Sequence, residues 1–238
     1  MRSDARSLSA LHEAVHGIFG MIGSLDCMHV GWKTYPVAWQ GSNMGKSGKP
    51  TIVLEALADH NLWFCHHSFG YPGSLSDINI WNRSCLLKAF LDGSFANDVD
   101  FEFGIGEDRV FHRLVWVLVD GIDPKFSRFV KTIQEPVGRN ASTYARWQES
   151  ARKDVEQAFG VLQRKFQVLV RKTEIWYVGD IANVVNCCIC LHNMMVANRM
   201  AMRDKESEEE FYVNVKRIIQ VYLLYALSQP RRQHCTIF

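Results

Sequence analysis

The sequence lacks an excess of charge of either sign. Its 27 Lys and Arg residues nearly balance its 25 Asp and Glu residues, which leaves a formal net charge of +2. This balance excludes a globally basic nucleic-acid-binding protein, so a positive surface for such a partner has to be local. The seven cysteines are odd in number and scattered, which excludes a disulfide framework and favours a reducing compartment.

Segments that direct a chain into or across a membrane are also missing. The first nine residues are polar and lack the apolar run behind a basic start that marks a signal peptide. We find no apolar stretch that approaches the length of a membrane span. These absences predict a soluble intracellular protein with no membrane partner.

Several sequence motifs that would indicate a known catalytic or binding function are absent or incomplete. No G-x-S-x-G elbow is present, which argues against a hydrolase with a serine nucleophile. The segment GSNMGKS at 41–47 resembles a phosphate-binding loop, but its two glycines are one residue too close together. Cys187 and Cys190 with His192 lack the second pair of ligands that a structural zinc site needs, so buried free thiols explain them better.

The order of the periodic segments predicts an α/β fold. Three strands at 22–30, 51–57 and 62–69 form an antiparallel meander, and a helix follows at 78–90. A continuous apolar run at 114–119 suits a central strand buried on both faces, and long helices follow at 142–164 and 180–200. With 47% apolar residues the chain can fill the core of a mixed sheet covered by helices.

The remaining segments are less regular. Residues 1–20 read as an amphipathic helix with its apolar stripe at Leu8, Leu11, Val15, Ile18 and Phe19. We expect an irregular connection at 91–113, a short basic helix or turn at 124–133, and an edge strand or a helix end at 166–171. Residues 201–238 read as a charged linker and a last helix, so that 1–20, 21–200 and 201–238 form an N-terminal helix, a core and a C-terminal extension.

Asp26 is the residue that most needs an explanation. It stands in the middle of the first predicted strand, although Asp is depleted in strands and a buried charge is costly unless it is paired or holds a metal. One interpretation is that Asp26 is the first ligand of a divalent-metal site. The alternative is an Asp at a strand end that caps a neighbouring turn.

Three further acids are candidates for the same site, and each has its own alternative. Asp120 ends the central strand, where α/β sheets place their ligands, but it also fits an Asp-Gly turn. Asp77 begins a helix and fits an N-cap, and Glu156 on the long helix fits an ion pair with Arg152 or Lys153. If the acids converge, their hard oxygen ligands suit Mg²⁺ or Mn²⁺, and such ions assist phosphodiester displacement.

A family resemblance makes this hypothesis specific. The segments GSLDCMHVGW, PVAWQG, GKPTIVLEALADHNLWF, FGYPGSLSDINIWNRS, VDGIDPKFSRFVKTI and ARKDVEQAFGVLQRKF resemble the PIF/Harbinger transposase family, in the same order. The resemblance implies a ribonuclease H-like DDE core, with Asp26, Asp120 and Glu156 as the catalytic acids. It also implies that Asp77 is a further metal ligand and that Mg²⁺ or Mn²⁺ is the cofactor.

The resemblance further implies the partners. DNA is the expected substrate, contacted through phosphates by a basic set whose alternative is a solvated surface: Lys125, Arg128, Lys131, Arg152, Lys153 and Arg164. We expect a homo-oligomer in the nucleus, or else the cytoplasm, with DNA sequence read by a separate Myb-like protein. This chain has Asp at position 123, just past Asp120, where members of the family often have an aromatic residue. The competing hypothesis is a domesticated, non-catalytic protein that acts through chromatin or protein partners.

Overall fold

The chain contains both helices and strands, and a computed structural model describes them within residues 5–45, 48–95, 101–103, 110–112, 115–120 and 126–204. The helices are α1 (Ala5–His16), α2 (Gln40–Asn43), α3 (Asp77–Trp81), α4 (Cys85–Asp92), α5 (Arg139–Lys165) and α6 (Val178–Asp204). The strands are β1 (Met21–Gly31), β2 (Thr51–Ala58), β3 (Phe64–Pro72), β4 (Phe101–Phe103), β5 (Val110–His112), β6 (Trp116–Val119) and β7 (Phe129–Lys131).

Five of these strands form one mixed sheet in the order β3-β2-β1-β6-β7. The first three strands pair antiparallel, whereas β6 pairs parallel with both β1 and β7. The predicted three-stranded meander and the predicted central strand are therefore confirmed. A mixed sheet flanked by helices agrees with the predicted ribonuclease H-like fold.

Three apolar clusters hold the helices on the sheet, and the two larger ones lie on its opposite faces. On one face, α5 and α6 pack against β1 and β2, with Met28, Leu54, Val155 and Ile189 among the buried residues. The other cluster joins β1 and β6 to α4, α3 and the start of α1. All eight residues of β2 are buried, which is what a strand covered on both faces requires.

Several predicted elements have different boundaries in the structure. The helix predicted at 78–90 is split into α3 and α4, because Ser84 caps α4 by accepting a hydrogen bond of 3.0 Å from the Leu86 N–H. The segment expected to be irregular contains the hairpin of β4 and β5, and the expected basic helix or turn contains strand β7. Residues 167–169 form a 3-10 turn instead of an edge strand.

Helix α1 presents a different face to the core than the sequence predicts. Ala5, Leu8, Ser9 and His12 are the buried residues, whereas Val15 is 45% exposed. The predicted apolar stripe is therefore wrong in the second half of the helix, because a histidine takes the inward position. The helix lies against β1 and also contacts α5, so it is part of the same packed body.

Helix α6 corrects the expectation about membrane spans. Its stretch Val178–Met202 is long and apolar enough, by length and composition alone, to cross a membrane. In the structure this helix packs on β3, and the Asn193 side chain exchanges hydrogen bonds of 3.0 Å with both backbone groups of Phe64. The core helix of a globular domain passes the same test of composition. The predicted helix beyond residue 204 lies outside the described residues.

Candidate active site at the sheet edge

Parallel pairing of β1 and β6 places Asp26 beside Asp120. The register aligns Ser24 with Leu118 and Leu25 with Val119, so the next residue on each strand is one of the two acids. Neighbouring strands lie about 4.8 Å apart, which makes these two positions direct neighbours. Asp120 follows the last residue of β6 and its side chain is 64% exposed, so it stands at the rim of the sheet.

Helix α5 brings Glu156 to the same side of the sheet. Side chains alternate along β1, and Met28 packs with Val155 of α5, so Ser24 and Asp26 also face this helix. Ser24 confirms the direction, because its Oγ accepts a hydrogen bond of 3.1 Å from the Val155 N–H. Glu156 is the next residue on α5, and its side chain is 44% exposed.

Asp77 reaches the site from the start of α3. Ser76, not Asp77, occupies the N-cap position, and no side chain donates or accepts a capping hydrogen bond there. The alternative interpretation of Asp77 as the helix cap is therefore not observed. Burial raises the pKa of the Cys27 thiol, and the charge of Asp77 contributes to this rise, which places Asp77 next to β1.

The other three acids lie close enough to Asp26 for their charges to act on its pKa. Burial is the main cause that raises the pKa of Asp26 to about 6, and the charges of Asp77, Asp120 and Glu156 contribute to the same rise. A hydrogen bond of 2.7 Å from the Cys27 N–H to Asp26 Oδ1 acts in the opposite direction. We name Asp26, Asp77, Asp120 and Glu156 the acidic site. Their assignment as catalytic residues and metal ligands stays a prediction.

Arg152 supplies the positive charge at the acidic site. Its guanidinium lies 2.6 Å from Glu156, 2.8 Å from Glu149 and 3.7 Å from Asp120, and its side chain is only 14% exposed. The ion pair that was the alternative interpretation of Glu156 is thus present. Arg152 also lines a cavity of about 310 Å³ with Asp120, Glu149 and residues 132–134. The cavity lies between the ends of β6 and β7 and the side of α5.

The predicted DNA-contacting residues differ in their surroundings. Lys153 and Arg164 are exposed on α5, and their separation of eleven residues places them on one face about 16 Å apart. Arg128 lies over the ring of Phe90, with 5.2 Å between the guanidinium carbon and the ring centroid. Lys131 is half-buried on β7, whereas Lys125 and Asp123 lie outside the described residues.

The donor set of the acidic site suits a hard divalent cation. All four side chains offer carboxylate oxygens, which Mg²⁺ and Mn²⁺ prefer. After burial, the charges of the other three acids contribute to the raised pKa of Asp26, which means that they repel its carboxylate. A bound cation would relieve this repulsion, so the residues fit the group that the sequence predicts. The half-exposed acids also leave the site accessible to a substrate.

A second group of potential ligands was missed by the sequence interpretation. His12, His16 and Asp154 have ligand atoms that all lie within 4.8 Å of one another, which is close enough to hold a metal ion. The signal in the sequence is the spacing H-E-x-x-H at 12–16, which puts two histidines on one face of a helix. The apolar periodicity that predicts the helix gives no weight to this histidine spacing. Asp154, in turn, is nearly adjacent to Glu156 but points to a different side of α5.

Comparison with known proteins identifies the family. Neither the curated proteins nor the solved structures give a match. A family model described as "plant transposon protein" matches residues 2–203, which includes α1, the whole sheet, α5 and nearly all of α6. The match therefore spans both groups of potential ligands. The chain belongs to the family of plant transposon proteins.

Proposed function

We propose that the protein is the catalytic core of a PIF/Harbinger-type transposase, a divalent-metal-dependent DNA endonuclease that hydrolyses or transfers phosphodiester bonds. The observation that carries this proposal is the convergence of Asp77, Asp120 and Glu156 on Asp26 from four separate elements. The charges of these three acids help to raise the pKa of Asp26, so the carboxylates repel one another, and a divalent cation would compensate that repulsion. Membership of a transposon protein family supports the same chemistry.

The acids have distinct roles in this proposal. Asp26 and Asp120, side by side on parallel strands, hold the ions from the sheet, while Glu156 holds them from α5 and Asp77 acts at the periphery. When bound, Mg²⁺ or Mn²⁺ supplies Lewis acidity at the phosphate and stabilises the attacking and leaving oxygens. Asp26 has to be deprotonated to act as a ligand, and its pKa of about 6 places that ionisation just below neutral pH.

Arg152 fits this scheme as an internal counter-ion. Its guanidinium bonds to Glu156 at 2.6 Å and lies near Asp120 at 3.7 Å, so it neutralises part of the charge that a metal would otherwise neutralise. On metal binding, Arg152 is expected to retain its ion pair with Glu149 and to lose its ion pairs with Glu156 and Asp120. The released donors then face the cavity, where a phosphate of DNA would lie.

DNA binding and assembly complete the proposal. Lys153 and Arg164 form an exposed basic row on α5 that starts beside the acidic site and suits contact with a phosphate backbone. With a net charge of +2 the positive surface is local, so we propose that a separate Myb-like protein reads the DNA sequence. We further propose a homo-oligomer that works in the nucleus, since a transposase has to hold two DNA ends.

One observation favours a second candidate function. Because Arg152 already pairs with Asp120 and Glu156, the acidic site can persist without a metal as a polar network. A domesticated protein that acts through chromatin or protein partners would retain the acids for this structural reason. Such a protein has no activity that depends on Asp120.

The two candidates differ in a cleavage assay. Supercoiled duplex DNA is incubated with the purified chain and Mn²⁺, beside the variants Asp120→Asn and Asp180→Asn. Asp180 is an exposed acid in the first turn of α6 and serves as the matched control. We expect the Asp120 change to lower the cleavage rate by at least about 100-fold, which corresponds to about 3 kcal/mol of transition-state stabilisation. Cleavage that is absent, or equal in both variants, would favour the non-catalytic protein.

Calorimetry separates metal binding from catalysis. Mn²⁺ is titrated into the parent chain and into a double variant with Asp26→Ala and Asp120→Ala, with and without duplex DNA. Binding in the parent that disappears in the double variant supports the acidic site as the metal site. Binding that appears only with DNA indicates that the substrate supplies some of the ligands. If neither condition gives binding, the proposed enzyme is wrong.

A further inference from the structure

A cluster of histidines lies at the end of α1 and has no part in the proposed nuclease chemistry. His12 and His16 are one turn apart on α1, and their rings stack with centroids 5.6 Å apart. His60, from the turn between β2 and β3, meets His16 edge to face at 4.8 Å. Asp154 of α5 completes the group, which we name the histidine site. Three segments far apart in sequence thus meet at one point.

His12 is a buried histidine whose polar ring nitrogens have no hydrogen bond among the described residues to account for their burial. It is 0% exposed, and neither of its ring nitrogens has a hydrogen-bond partner in the described part of the chain. A buried nitrogen without a partner costs about 1–3 kcal/mol, so an apolar residue would serve better here if packing were the purpose. A ligand that accepts a nitrogen lone pair removes this cost.

Asp154 is the second buried group that needs compensation. It is 3% exposed, and the ion-pairing partners that the structure describes for it are His16, at 3.0 Å, and His60, at 3.4 Å. Both contacts end on the same oxygen, Oδ2, so two imidazole nitrogens lie close to one carboxylate oxygen. Two ligands of a tetrahedral ion with bonds of about 2.0–2.1 Å lie about 3.3 Å apart. The two observed separations are on either side of that value.

We propose that His12, His16 and Asp154, whose ligand atoms lie within 4.8 Å of one another, bind one transition-metal ion of the Zn²⁺ class, with His60 moving in as the fourth ligand. The ion forms a structural site that fastens α1 to α5 and to the turn between β2 and β3. Three imidazole nitrogens and one carboxylate oxygen form a tetrahedral donor set, and nitrogen-rich sets of this kind favour Zn²⁺ over Mg²⁺. The dication also compensates the buried charge of Asp154. This site is separate from the proposed nuclease chemistry.

The surroundings of the site favour a structural role over a catalytic one. The spacing H-E-x-x-H is also that of zinc proteases, in which the glutamate serves as a general base and one metal position stays open. Here Glu13 is exposed, whereas the histidine beside it is buried, and His60 Nδ1 lies 3.4 Å from Asp154 Oδ2, from where it would supply the fourth ligand. With His60 bound, side chains fill all four tetrahedral positions, which leaves no open position for a substrate or for the water that a base would activate.

The test uses the full chain after treatment with a chelator. Zn²⁺ is titrated calorimetrically in buffer with excess Mg²⁺, which saturates the acidic site, and Co²⁺ replaces Zn²⁺ in a parallel experiment to report tetrahedral coordination in the visible spectrum. We expect one Zn²⁺ per chain in the parent, in Glu13→Gln and in Asp26→Asn. In His12→Leu we expect binding to weaken by at least about 100-fold, since even outer-shell changes weaken binding by about 10- to 100-fold.

Thermal unfolding provides a readout that does not depend on the titration. Zn²⁺ should raise the unfolding temperature of the parent but not that of His12→Leu. Without metal, His12→Leu should be at least as stable as the parent, because it removes two unpaired buried nitrogens. If His12→Leu does not fold, His60→Gln, on a half-exposed turn, should weaken Zn²⁺ binding at least tenfold. Absent binding in the parent, or equal affinity in these variants, would overturn the proposal.

Discussion

Asp154 and Glu156 are two residues apart on α5, yet they belong to sites with opposite properties. The acidic site offers only oxygens, and its members Asp120 and Glu156 are 64% and 44% exposed. The histidine site offers three nitrogens around one carboxylate and is closed from solvent at His12 and Asp154. In the two proposals, one surface of the helix presents hard ligands to an exchanging ion and a substrate, and the other suits an ion that stays.

The two sites also differ in how the protein alone compensates their charge. Arg152 supplies a guanidinium to the acidic site, which therefore tolerates the absence of a metal. Among the described residues, the histidine site has only neutral or weakly basic partners around Asp154, and His12 has unpaired nitrogens. The comparison teaches that proximity of ligands is not enough to define a site. Access from solvent and the available counter-charge decide what kind of ion binding it supports.

Helix α5 carries residues of both sites, so a change in its packing on the sheet should have the largest effect on stability. Leu162 is 0% exposed on the face of α5 that packs on the sheet. We expect Leu162→Ala to lower the free energy of unfolding by about 2–5 kcal/mol, since it removes buried methyl groups and leaves a cavity. Urea unfolding measures the change, with Val168→Ala, at an exposed position, as the control. A loss as small as that of the control would show that α5 is not the common support.

Asp26 should give the acidic site a pH dependence of stability. Its folded-state pKa is raised from 3.8 to about 6, so the metal-free protein loses stability as the pH rises through this interval. At 1.36 kcal/mol per pKa unit the loss is at most about 3 kcal/mol. Asp26→Asn should therefore stabilise the metal-free chain above pH 7, and the gain should vanish near pH 4.

Urea titrations at several pH values, in the presence of a chelator, measure this effect. The side-chain amide that Asp26→Asn introduces keeps an acceptor for the Cys27 N–H, so the comparison isolates the charge. Glu135→Gln changes an exposed acid and should show no such dependence. A destabilising Asp26→Asn at neutral pH would mean that the four acids do not repel one another in the folded protein.

Replacing Arg152 should have the smallest effect of these changes, and the effect should be confined to the acidic site. In Arg152→Gln, Mn²⁺ no longer competes with a guanidinium for Asp120 and Glu156, so its affinity should rise by about fivefold, the equivalent of one solvent-screened charge pair near 4 Å. Stability should fall by about 1 kcal/mol or less, because the paired acids are partly exposed. Zn²⁺ affinity at the histidine site should stay unchanged. The control is Arg146→Gln, an exposed arginine on the same helix.

Much of the fold could be predicted because its patterns are local. The apolar run that became β6, the apolar segments that became β1 to β3 and the stripe on α5 each specify an element from neighbouring residues alone. The hairpin of β4 and β5 and the short strand β7 were missed, since strands of three residues depend on their partners more than on their own sequence. Helix α1 was predicted, but its orientation was not.

The chain by itself determined which acids are candidates, because an Asp in a buried strand and an Asp at the end of another are unusual wherever they occur. Only the tertiary structure decided that Asp26 and Asp120 are neighbours, since that follows from the parallel register of β1 and β6. It also decided that Asp154 belongs with His12, His16 and His60 and not with Glu156. Contacts between residues more than a hundred positions apart depend on how the elements pack, and no local pattern in the sequence encodes that packing.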